Sequence, residues 1–183
     1  MSNFLYHKKT SKFQLVIESI DTLCKIDKST IINKRQKEIL ARKKIFEMLF
    51  PECSLSYNDC GAPKISNGKA ISFSHSNELL AIITSEKHAA IDIELIDDKA
   101  FRTRNKFLNE IELNFVKDLE TATLLWCAKE CLYKLYQKGN IIFKKHLKVN
   151  QLSNEIIKCS LFNKTYQLHF EKINEHWLVY YFD

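Results

Sequence analysis

Eighteen consecutive residues, Thr121–Lys138, contain neither glycine nor proline and are dense in helix formers, which predicts one long helix. This stretch constrains the chain more than any other. Leu124, Cys127 or Ala128, Cys131 or Leu132 and Leu135 recur at helical spacing and predict one buried face. Trp126, Glu130 and Lys134 stand four apart and form a stripe of their own, with Lys129 beside them. One rigid element thus carries a carboxylate and two ammonium groups, which suits holding a cation and an anionic ligand together. The same pattern also describes an ordinary packed helix whose Glu130 and Lys134 form a surface pair worth about 0.3–0.5 kcal/mol.

A chain of 183 residues that is 45% hydrophobic and 27% charged has room for one sizeable core or two small lobes. No apolar run approaches the roughly 18 residues of a membrane helix. The opening MSNFLYHKK lacks the apolar core of a signal peptide, so the expectation is a cytoplasmic protein with no membrane segment. Its six cysteines form no CxxC pair and are read as reduced packing groups, with Cys127 and Cys131 a remote zinc alternative by helical spacing. A net charge of +6 favours an anionic partner without naming it.

Along the chain, Phe13–Ile17 predicts a strand and Glu18–Cys24 a short helix. Ser29 and Thr30 are candidate caps for a long helix over Ile31–Leu49, ended by Pro51. Its buried stripe is Ile32, Ile39, Leu40, Ile45, Phe46 and Leu49. Ser56–Lys69 is rich in turn residues, and Asn67-Gly68 is a hairpin signal. Strands are predicted at Ala70–Ser74, Leu79–Thr84 and Ala89–Leu95, and helix over Ala100–Asp118 with a break near Asn109. After the long helix, closed by Gly139 as its cap, five strands are expected: Ile141–Phe143, Leu147–Asn150, Ile156–Leu161, Tyr166–Phe170 and Trp177–Phe182. The pattern is α+β, with a seam near Thr84–His88.

Asp92 and Glu94 alternate with Ile91, Ile93 and Leu95, so both carboxylates face one side of their strand, roughly 7 Å apart. Crowded carboxylates repel, and a cation between them relieves this. Mg²⁺ takes one or two carboxylates together with phosphate oxygens and water. A half-exposed strand with acidic outward residues is the plain alternative. Ser74-His75-Ser76 offers hydroxyls and an imidazole at a strand end, donors suited to phosphate oxygens or to an ordinary turn. Arg35 and Arg42 lie off the apolar stripe of their helix and suit either phosphate or solvent. No GxSxG, Walker or GxGxxG signature is present.

Asp92 follows His75 by 17 residues, and Trp126 follows Asp92 by 34. FSHS, IDIE and WCAKECLYK in that order resemble the 4′-phosphopantetheinyl transferase superfamily, closest to its surfactin-synthetase-activating (Sfp-like) branch. KRQKEILAR is similar to that family's early arginine-bearing helix, and NKFLNEIE to the segment between its two catalytic motifs. The resemblance implies two similar lobes related by pseudo-twofold symmetry, here 1–85 and 86–183, as a monomer with the active site at the lobe interface. It implies transfer of the phosphopantetheine arm of coenzyme A to a serine of an apo acyl, polyketide or peptidyl carrier protein. Asp92, Glu94 and Glu130 would hold Mg²⁺, directly or through water. Glu130 is also the candidate base, and Lys129 and Lys134 would contact phosphates. Ser74, His75 and Arg35 would contact coenzyme A.

Two positions depart from the family pattern. Gly61-Ala62-Pro63 lacks its lysine, for which Lys64 or Lys69 is a substitute, and Ala90 replaces the glycine before Ile-Asp. They motivate a second expectation, a non-enzymatic relative that binds coenzyme A or carriers. A basic nucleic-acid-binding module is a third, disfavoured because the aromatics fit core positions.

Overall fold

The computed structural model describes residues 4–24 and 33–183. The chain divides into two compact units, Met1–Ala89 with Phe182–Asp183, and Ala90–Tyr181.

In the first unit, β1 (Tyr6–Lys9) and β2 (Phe13–Ser19) pair antiparallel, and α1 (Ile20–Cys24) follows without a break. The first of these strands has no counterpart in the sequence reading. α2 (Lys34–Leu49) starts at Asn33, whose side chain accepts from the Gln36 amide while Gln36 returns the bond. The caps expected at Ser29 and Thr30, and the start at Ile31, lie outside the described residues. Ala41, Ile45 and Phe46 are buried, but Ile39, expected in the stripe, is 59% exposed. The turn-rich segment folds as a two-stranded antiparallel ribbon, β3 (Leu55–Tyr57) and β4 (Pro63–Ile65). Asn67-Gly68 does turn the chain, with Gly68 at φ +80°, yet it joins strands of different sheets and closes no hairpin. β5 (Ala70–Ser76) and β6 (Leu79–Ser85) are the hairpin instead, turned at Asn77 with φ 53°. The sheet order is β1-β2-β6-β5, and Val16, Ile71, Phe73, Leu80 and Ile82 form a core with α2.

The second unit begins on β7 (Ala89–Leu95), continues through α3 (Asp98–Phe107) and α4 (Glu110–Leu113), and reaches the long helix α5 (Leu119–Tyr136). The break expected at Asn109 is a fresh helix start, where Asn109 and Glu112 form a capping box. Asp118 caps α5 through the Thr121 amide at 2.8 Å, and that bond, chiefly, lowers the Asp118 carboxyl below its ordinary range. The helix ends on Gln137 in the left-handed region at φ 58°, two residues before the glycine expected there. Residues 141–143 are not a strand: α6 (Phe143–His146) is a single turn of helix. β8 (Leu147–Leu152), β9 (Ile156–Leu161), β10 (Lys164–Ile173) and β11 (His176–Phe182) form an antiparallel meander, and the sheet order is β7-β11-β10-β9-β8. Asn174-Glu175 makes a two-residue hairpin loop, and Phe162-Asn163 makes the preceding one.

α5 lies against α3, β8 and β9. Leu124, Leu125, Cys127, Ala128, Lys129, Cys131 and Leu132 are all buried, so most of its circumference is covered rather than one face. This central position is why α5 can set the geometry of everything around it. No helix among the described residues is long and apolar enough to cross a membrane.

Candidate active site

β7 is the edge strand of its sheet, and its burial differs from a half-exposed strand. Residues 89–93 are all buried, and Asp92 is only 2% exposed. A carboxylate removed from water this far needs a charged or hydrogen-bonding partner. α5 supplies one. Lys134 Nζ donates to Asp92 Oδ1 at 2.6 Å and to the Ile91 carbonyl at 3.1 Å. Eight residues earlier on the same helix, Trp126 Nε1 donates to Glu94 Oε1 at 3.1 Å. Trp126 is itself seated between Phe107, edge-on at 5.0 Å, and Phe143, stacked at 5.6 Å. The helical stripe of Trp126, Glu130 and Lys134 therefore meets the two strand carboxylates, because a period of four on α5 runs alongside a period of two on β7.

The electrostatics bind these groups into one set. Burial pushes the Glu130 carboxyl up to about 7, and the charges of Asp92 and Glu94 add to the rise, against Lys134 and Lys99. Burial works against the charge of Lys134, but Asp92 outweighs it by charge and hydrogen bond, with Glu130 adding, and its pKa is raised. An acidic site held together by one ammonium is the result. Its donors are hard oxygens, a set that suits a hard divalent cation bound with several waters. Among the described residues no group of three or more His, Cys, Asp or Glu side chains is arranged to hold a metal ion. Mg²⁺ characteristically keeps water and takes only one or two carboxylates together with phosphate oxygens.

Lys129 is placed elsewhere. It is fully buried, and its ammonium donates to Glu112 Oε2 at 2.7 Å, to the Phe107 carbonyl at 2.8 Å and to the Phe143 carbonyl at 3.3 Å. All three donors are thus engaged within the protein at the residue for which the sequence reading expects a phosphate contact. Successive helical residues point about 100° apart, which turns Lys129 inward while Glu130 faces β7. Burial lowers the Lys129 pKa, opposed by Glu112. Glu112 in turn accepts from the Asn109 and Val149 amides at 2.8 and 2.7 Å, tying α4 and β8 to α5. The sequence reading passed over Glu112, although its Asn-x-x-Glu spacing is a capping-box signal.

In the first unit the Ser-His-Ser run lies within β5 and is not one donor cluster. Ser74 and His75 are adjacent in a strand, so they face opposite sides of the sheet. Ser74 is 5% exposed. His75 Nε2 lies 3.1 Å from Glu38 Oε2 of α2. Arg42 stands over the Phe73 ring at 5.5 Å, and Arg35 is exposed on α2. Of the proposed stand-ins for the missing turn lysine, Lys69 pairs with Glu86 at 2.7 Å while Lys64 is exposed. Ala90 is fully buried in the core of the second unit, where its methyl packs. Cys127 and Cys131 are free buried thiols, held well above their ordinary pKa by burial first and Asp92 second.

The model of the 4′-phosphopantetheinyl transferase superfamily matches residues 89–180, just over half of the 183. The chain belongs to that superfamily. The match spans Asp92, Glu94, Glu112, Trp126, Glu130 and Lys134, and it leaves out Arg35, Ser74 and His75. No curated protein matches the chain.

Proposed function

We propose that this protein transfers the 4′-phosphopantetheine arm of coenzyme A to a serine of an apo carrier protein, in the manner of the Sfp-like branch. The observation that carries this is the convergence of Asp92, Glu94, Glu130 and Lys134 between one strand and one helix. Asp92, Glu94 and Glu130 would hold Mg²⁺, which when bound neutralises and polarises a diphosphate. Lys134 pairs with Asp92 and sets an ammonium beside the phosphate oxygens. Glu130 takes the proton of the carrier serine, directly or through one water. The serine oxygen then bonds to the β-phosphorus, the bridging P–O bond breaks, and 3′,5′-ADP leaves with its electron pair. Phosphoryl chemistry of this kind draws its rate from positioning and charge neutralisation. Trp126 orients Glu94. Lys129, with Glu112, anchors the helix and touches no substrate. Arg35, Ser74 and His75 are proposed contacts for coenzyme A, His75 through the phosphates once released from Glu38.

The test is loading of a panel of purified apo carriers with coenzyme A and Mg²⁺, read by intact mass. Conversion to the holo form is expected, and Glu130→Gln is expected to lower kcat by about 10²–10⁴ with its circular dichroism unchanged. A protein that loads no carrier refutes the transferase reading, and an active Glu130→Gln variant refutes the assignment of the base.

A further inference from the structure

In the first unit a strand and a helix again bring charges together by their two periods. Phe73 and His75 stand two apart on β5 and share one face, on which Phe73 joins the core with α2. Glu38 and Arg42 stand four apart on α2 and share one side of it. Glu38 Oε2 lies 3.1 Å from His75 Nε2, and the Arg42 guanidinium lies 5.5 Å over the Phe73 ring. The His75 side chain is 37% exposed and that of Glu38 only 18%, so the carboxylate is the more sheltered partner.

Two features set this quartet apart from a surface ion pair. His75 is a proposed contact for a coenzyme A phosphate, and Glu38 already places an anion on its ring. Arg42 Nε, in turn, is buried and has no hydrogen-bond partner among the described residues. A buried donor without an acceptor destabilises the protein until one arrives. Glu38 stands at the spacing that pairs a carboxylate with a cation on one helix, and the carboxylate is N-terminal, which is the favourable order. Two seats are thus within reach of one carboxylate, and it occupies the one on His75.

We infer that Glu38 is a two-position gate on coenzyme A binding: seated on His75 it fills the place of a phosphate, and an incoming phosphate moves it one turn along α2 to Arg42. This rests on the transferase reading. Phosphate oxygens compete well with a carboxylate for an imidazole, because both accept charge-assisted hydrogen bonds and phosphate carries more acceptors. The displaced carboxylate then satisfies Arg42, which returns part of the cost of its release. A static tie between β5 and α2 accounts for Glu38 on His75 but leaves the Arg42 donor without a purpose.

Calorimetric titration of coenzyme A and of dephospho-coenzyme A, with Mg²⁺ and no carrier, into wild type and Glu38→Gln tests this. Glutamine keeps the length and helix propensity of glutamate, so the fold is retained, as thermal melts verify. Coenzyme A is expected to bind Glu38→Gln about tenfold tighter, and its KM in carrier loading to fall by the same factor with kcat within about twofold. Tightening for coenzyme A alone puts its 3′-phosphate on His75, tightening for both ligands puts the diphosphate there, and either upholds the gate. Affinity within about twofold of wild type, or weaker binding, overturns it. Adding His75→Ala to Glu38→Gln is expected to cancel the gain; a gain that survives is general charge repulsion and overturns the gate. Glu47→Gln, an equal charge change at the exposed Lys43 pair on the same helix, is expected to leave the affinity unchanged. Arg42→Gln is expected to weaken binding about fivefold in wild type and not in Glu38→Gln. An equal loss in both backgrounds makes Arg42 a ligand contact and overturns the second seat. If the wild type loads no carrier, the transferase reading fails. The titrations use no carrier and still decide the gate: tighter binding by Glu38→Gln upholds it, and binding by neither protein overturns it.

Discussion

α5 carries two lysine–carboxylate pairs five residues apart in sequence, and they do opposite things. Lys129 and Glu112 meet at 2.7 Å with side chains 0% and 1% exposed. Lys134 and Asp92 meet at 2.6 Å with side chains 25% and 3% exposed. In the sealed pair every ammonium hydrogen is used and both carboxylate oxygens accept backbone amides. In the half-open pair the ammonium keeps solvent access beside two more carboxylates. Equal chemistry and nearly equal distances thus give a sealed structural tie in one case and a solvent-accessible pair at the proposed site in the other. Burial and the supply of further hydrogen bonds separate them, since a buried ion pair is stable only when its remaining donors and acceptors are satisfied.

The largest expected effect breaks the sealed pair. Lys129→Met leaves the Glu112 carboxylate buried without its cation and is expected to cost about 3–5 kcal/mol in chemical denaturation. A loss below about 1 kcal/mol in that titration contradicts the role assigned to Lys129. Breaking the open pair is expected to affect turnover instead. Lys134→Met is expected to lower kcat/KM for carrier loading by about 10²-fold, near 2.7 kcal/mol of transition-state stabilisation, and to cost less stability than Lys129→Met. If the two variants lose stability equally and Lys134→Met keeps its activity, the contrast between the pairs is gone.

Glu130 sharpens the contrast without any assay of transfer. Its folded-state carboxyl, near 7 against an ordinary 4.5, binds a proton more tightly than the unfolded chain does. Ionisation therefore penalises the folded state, beginning as pH rises past 4.5 and reaching its full size above about 7. In chelator, Glu130→Gln is expected to be more stable than wild type at pH 8.5 by up to about 3 kcal/mol and no more stable at pH 4. Parallel melting curves at the two pH values check it. A stability difference that does not change with pH contradicts the crowding of carboxylates. The smallest effect falls on Trp126. Trp126→Phe keeps a ring between Phe107 and Phe143 but removes the donor to Glu94, and about a tenfold rise in the Mg²⁺ concentration for half-maximal activity is expected.

The patterns that were legible were the local ones. The alternation of Ala89–Leu95 and the unbroken helix formers of α5 led directly to the two elements that meet at the site. β1, β3 and β4, at three or four residues each, carry too little periodicity to announce themselves. The hairpin expected at Asn67-Gly68 failed because a turn sequence reports local bend and says nothing about which sheet each flank joins. Ser74 and His75 read as one cluster because they are neighbours in sequence, whereas extended backbone sends neighbours to opposite faces.

The sequence by itself determined which chemistry the chain can hold: Asp92 and Glu94 on one side of a strand, Glu130 and Lys134 on one side of a helix, at spacings set by backbone periodicity alone. Tertiary packing decided what each charge does. Helical spacing put Lys129 next to Glu130 and could not say that a capping glutamate seventeen residues upstream would swallow it. It likewise left open whether the Trp126 indole would be a mere anchor or the donor that aims Glu94. Desolvation is the physical reason. A charge in water is nearly indifferent to its neighbours, and once the fold removes the water, each neighbour's position fixes its protonation, its partner and its use.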